Sequence, residues 1–97
     1  MIVKKHTTPD GRLVIAICDT KLAGKKYHDD NSELDLSADF FQGEELEEDE
    51  AARLLTQAYS ANIVGEESVA LASNIGIIEE DNISYVDDIP FAYAVKA

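Results

Sequence analysis

The chain has 97 residues, 45% of them apolar, a single cysteine and a net charge of −12. That length suits one modest core, so residues 1–97 are read as one domain. A lone cysteine excludes an intrachain disulfide, and the longest fully apolar run, Leu13 to Cys18, is too short for a membrane span or a leader; a reducing, cytoplasmic compartment is expected.

The charge is unevenly laid out. Residues 1–26 hold six bases (Lys4, Lys5, Arg12, Lys21, Lys25 and Lys26) against Asp10 and Asp19, a balance of +4. The remaining residues hold two bases and eighteen acids, a balance of −16. Such polarity points to a charged partner, or to a basic segment packed beside its own acidic half.

In chain order, Ile2–Thr8 and Arg12–Cys18 are rich in β-formers and flank Pro9-Asp10-Gly11, where proline presets a turn angle and glycine accepts positive φ. A β-hairpin is expected, pairing His6 with Val14, Lys4 with Ala16 and Ile2 with Cys18. That register sets Val3, Leu13, Ile15 and Ile17 on one face, and Lys4, His6, Arg12 and Cys18 on the other. Asp19 is expected to cap a short turn over Thr20–Leu22, stopped by Gly24, with residues 25–31 a polar loop. Residues 32–37 alternate strictly and predict a half-buried third strand with leucines inward. Residues 38–43 read as a compact turn anchored by at least one phenylalanine.

Residues 44–50 hold six acids in seven and lead into Ala51, Ala52, Leu54, Leu55, Ala58 and Tyr59 at helical spacing, so the acids read as a solvated helix start favoured by the macrodipole. A second helix is expected over about 65–75, stopped by Gly76, with Ser60–Val64 joining the two helices as a hairpin. Asn82–Val86 and Phe91–Ala97 read as strands around an Asp87-Asp88-Ile89-Pro90 turn. The order β-β-β-α-α-β-β predicts an α+β fold, an antiparallel or mixed sheet with the helical hairpin on one face.

Motif chemistry is sparse. Gly24-Lys25 fails as a phosphate loop, with Asp19 where a glycine and Lys26 where a hydroxyl belong. In the expected register Cys18 lies too far from His6 for that histidine to act as its base, and Asp19 beside it raises the thiol pKa. No zinc spacing links Cys18, His6 and His28, and the acidic run lacks the ligand spacing and central glycine of a calcium loop. No catalytic residue, metal or cofactor is therefore assigned. Lys4, Arg12, Lys21, Lys25, Lys26 and Tyr27 form a candidate partner-binding patch. The net charge disfavours free nucleic acid as its target, so a protein or ribonucleoprotein is the expected partner. An oligomer paired through the edge of the last strand, Phe91–Lys96, is a further reading.

Several phrases together carry a resemblance: Ile17-Cys18-Asp19, the run Leu22–Tyr27, Phe40-Phe41-x-Gly43-Glu44, the run Ser60–Glu66, Gly76, and Ile89-Pro90. In this order they resemble the archaeal domain of unknown function 424 family across nearly the whole chain. The resemblance implies a small single-domain protein associated with translation. It nominates Cys18, Asp19, Gly24, Lys25, Asn62, Gly65 and Glu66 as a shared site, which would serve a small enzyme or ligand-binding protein if it were chemical. The family's last strand reads like Pro-His-Ala-Gln, whereas this chain has Pro90-Phe91-Ala92-Tyr93, so no role can rest on that histidine.

Overall fold

Pro9-Asp10-Gly11 reverses the chain as its composition requires. The Thr8 N–H donates to the Arg12 carbonyl and the Gly11 N–H to the Thr8 carbonyl. In the computed structural model, which describes residues 1–96, this turn joins β1 (Ile2–Thr7) to β2 (Leu13–Cys18). Their register is the expected one, with Ile2 opposite Cys18, Lys4 opposite Ala16 and His6 opposite Val14. Then follow β3 (Lys26–His28), β4 (Glu33–Asp35), β5 (Glu44–Glu45), α1 (Glu48–Gln57), β6 (Ser60–Val64), α2 (Glu66–Asn74), β7 (Ser84–Val86) and β8 (Ile89–Val95). Three-residue 3-10 turns precede β3, β5 and β7.

Six strands form one mixed sheet in the order β5-β1-β2-β6-β8-β7. The expected α+β class holds, and both helices pack on one face. Ile15, Ile17, Ala61, Ile63 and Ala92 of the sheet meet Ala51, Leu55, Val69, Leu71 and Ala72 of the helices in the main core. The connection between the helices differs from the expected hairpin. Ser60–Val64 is a strand, parallel to β2 and antiparallel to β8, so it runs through the middle of the sheet. Its residues are buried apart from the half-buried Asn62, because helices cover one face and a smaller layer part of the other.

That smaller layer is a second departure. Residues 32–37 contribute β4, and Leu34 within it and Leu36 just after it turn inward as expected, but β4 pairs with β3, inside the segment expected to be a loop. The two-stranded β3–β4 ribbon lies over the sheet face opposite the helices. There Cys18, Leu36 and Val64 are buried among Ile2, Tyr27, Phe41 and Phe91 as a second core. Phe41 is the expected anchor of the 38–43 turn, while Phe40 stacks on the His6 ring at 4.5 Å.

The acidic run is divided. Glu44 and Glu45 pair with β1 at the sheet edge, and only Glu48, Asp49 and Glu50 occupy the first turn of α1. The β7–β8 turn is also shorter than expected. Asp87 and Asp88, at φ of 50° and 63°, make a two-residue hairpin loop, and Ile89 and Pro90 already belong to β8. The expected strand reached Ala97, which lies outside the described residues. β8 is paired with β6 along Phe91–Val95, and its other side is paired with β7 only at Ile89–Phe91.

Candidate functional site

Parallel strands β2 and β6 end side by side, at Cys18-Asp19 and Val64-Gly65, and α2 starts from the second of these ends. Asp19 is fully buried there. It was expected to cap the 3-10 turn Thr20–Leu22, but its side chain makes no such bond. Its carboxyl group instead crosses to α2, where Oδ2 accepts from the Glu67 N–H at 3.1 Å and Oδ1 accepts from the Ser68 N–H and hydroxyl, each at 2.8 Å. The first N–H groups of a helix have no partner within it, so an acceptor borrowed from another strand is a cap supplied in trans.

Gly65 makes this approach possible. A Cβ at that position would lie 2.3 Å from Asp19 Cγ, and the φ of 109° is itself strained for any residue but glycine. The Asp19 N–H donates to the Val64 carbonyl and the Gly65 N–H to the Pro90 carbonyl, which ties the ends of β2, β6 and β8 to one another. Asp19, Gly65 and Glu66 thus lie together, and the arrangement is a closed structural latch. Among the described residues no buried side-chain polar atom lacks a partner.

The other residues of the candidate family site diverge. Cys18 has no exposure and points into the second core. Burial, reinforced by the charge of Asp19, pushes its thiol pKa up to about 11, the opposite of what a nucleophile needs. Asn62 shares a sheet face with Cys18, two positions before Val64, away from the Asp19 latch. Gly24 and Lys25 are exposed, and their backbone is pinned to the ribbon: the Gly24 N–H donates to the Leu36 carbonyl and the Leu36 N–H to the Lys25 carbonyl. Beside the latch is a cleft of about 180 Å³ lined by Lys21, Leu22, Glu66, Asp88, Ile89 and Asp19 among others.

The basic residues fall into separate groups. Arg12 stands at the hairpin end of β2, bonded to Asp10 at 3.0 Å and 4.3 Å above the Tyr59 ring centroid. Lys21 stands beyond the other end of β2, roughly 20 Å away at a strand's rise per residue. Lys26 approaches Asp35 at 4.0 Å, and Tyr27 is half-buried against the second core. Lys4 lines a cleft beside β5 with Lys5, Arg53, Glu44 and Glu50. Reading the sequence missed Arg53 there, because nothing in the spacing of α1 indicates which strand its exposed face overlooks.

Among the described residues no group of three or more His, Cys, Asp or Glu is placed to hold a metal ion, and no helix is long and apolar enough to cross a membrane. The family model described as "Protein of unknown function (DUF424)" matches residues 6–97. The chain belongs to this family. A solved structure, described as an uncharacterized conserved protein from Methanopyrus kandleri, superposes with a TM-score of 0.81 at 25% identity, covering 99% of this chain and 92% of that one. Comparison with curated proteins finds no match. The family's assignment agrees with the resemblance read from the motifs, and the latch gives two of those motifs, Ile17-Cys18-Asp19 and Ser60–Glu66, a joint structural explanation.

Proposed function

We propose that the chain is a non-enzymatic binding module that engages an acidic surface of a protein or ribonucleoprotein through Lys21, Lys25 and Lys26. The observation supporting this reading is their placement on one anchored connection. Lys21 and Lys25 are exposed, and neither has a carboxylate within ion-pair distance among the described residues, although the chain carries twenty acids. The segment between them is held: Leu22 and Ala23 pack on the second core, and the Gly24 and Lys25 backbone is bonded to Leu36. Cations presented on an ordered backbone lose less freedom on binding than cations on a loose loop.

The hairpin residues Lys4 and Arg12 stand apart from this connection, so the proposed contact surface is the loop alone. A net charge of −12 repels an extended polyanion at a distance, which favours a local, oriented contact on an assembly over free nucleic acid. Capture by the tagged chain from its native cytosol, washed at low and at high salt, tests the reading. A defined set of partners held at low salt and released at high salt is expected; no salt-released partner contradicts it.

A further inference from the structure

We propose that the free edge of β4 and the cleft beside it form a docking slot for an extended segment of a partner protein in which apolar and basic side chains alternate. The slot goes beyond the lysine surface and does not depend on it. In the ribbon, Asp29 donates to Ser32, Tyr27 is opposite Leu34, and Leu36 donates to Lys25. Backbone groups alternate in direction along an antiparallel strand, so Ser32, Leu34 and Leu36 turn theirs toward β3 while Glu33 and Asp35 turn theirs away. The ribbon has no third strand, and the N–H and C=O groups of Glu33 and Asp35 have no backbone partner among the described residues.

A cleft of about 300 Å³ opens on that side, lined by β4 together with Phe41, Asn62, Phe91 and Tyr93, and by no residue of β3. Tyr93 is 57% exposed on this face, so its ring is accessible to a segment lying in the cleft. A segment added to β4 would satisfy the free backbone groups and send alternate side chains to the two sides. One set would meet Phe41, Phe91 and Tyr93 across the cleft. The other would stand in solvent beside the side chains of Glu33, which is exposed and has no ion pair among the described residues, and Asp35, whose Oδ1 accepts from Ser37 while its Oδ2 lies 4.0 Å from the Lys26 ammonium.

Carboxylates flanking the outer set favour lysine or arginine there and oppose acids. The same carboxylates disfavour a second copy of this chain, since pairing β4 with itself would bring Glu33 and Asp35 of two copies together. The net charge of −12 adds long-range attraction for a basic segment.

Amide NMR with three capped hexapeptides provides the test: alternating Lys-Val, the block isomer Lys-Lys-Lys-Val-Val-Val, and alternating Glu-Val. The alternating lysine peptide is expected to slow amide exchange at Glu33 and Asp35, shift Tyr93, and bind at least about tenfold more tightly than either control. The exposed substitution Glu33→Lys, checked for an unchanged spectrum elsewhere, should weaken it severalfold. Equal affinity for the three peptides, or shifts confined to other surfaces, would overturn the proposal. So would protection of Glu33 and Asp35 that grows with protein concentration in the absence of peptide, which would identify a second copy as the occupant.

Discussion

Asp19 shows how one side chain can settle the ends of several elements. It receives three hydrogen bonds from the start of α2 while its own N–H binds the end of β6. Asp19→Ala would leave buried donors without an acceptor and should lower stability by about 2–3 kcal/mol; Asp19→Asn, which keeps an acceptor oxygen, should lose about half of that. Urea unfolding with an unchanged slope checks both values. The neighbouring Cys18 makes a prediction about alkaline pH. Its thiol pKa, about 11 in the folded chain against an ordinary 9.0, means that folding favours the neutral thiol. The corresponding stability is complete below about 9 and is lost as pH rises toward about 11. Comparing wild type with Cys18→Ala across that range isolates it from the lysines and tyrosines: the wild type should lose stability more steeply. A native thiol that reacts rapidly with a disulfide reagent at neutral pH would contradict the closed setting of Cys18.

At the scale of elements, what the sequence revealed depended on whether a local signal was strong enough to read alone. The β1–β2 register was legible to the residue because Pro9-Asp10-Gly11 fixes the turn and Leu13–Cys18 supplies an unbroken β-forming run. The strand β6 was not. Ser60, Ala61 and Asn62 are weak strand formers, cover on both faces removes the two-residue alternation, and five residues between two helical patterns suit an ordinary connector. Ile63-Val64 followed by Gly65 was the available hint, two β-branched residues ending at a glycine. β3 escaped notice because only Tyr27 of its three residues faces the core. The candidate site was half legible: Asp19 and Gly65 do meet, but as a latch, while Lys25 and Asn62 belong to other surfaces. The β7–β8 hairpin gives a test at this scale. Asp88 holds a positive φ of 63° that glycine adopts freely, so Asp88→Gly should raise stability by about 0.5–1 kcal/mol in thermal or urea unfolding.

Over the whole molecule, the charge asymmetry resolves into local arrangements. Acids fill the first turns of α1 and α2, where the helix dipole favours them, and Arg12 is matched by Asp10. Among the described residues Lys21 and Lys25 have no comparable partner, which is why the proposed function rests on them. The most direct test of that function compares partner capture at low salt by wild type, by Lys21→Glu/Lys25→Glu, and by Lys5→Glu/Lys96→Glu, which makes the same change in net charge at other positions. The first double variant, folded as judged by its unfolding midpoint, is expected to lose the salt-released partner while the second retains it. Retention by both, or equal loss from both, would contradict the proposed function.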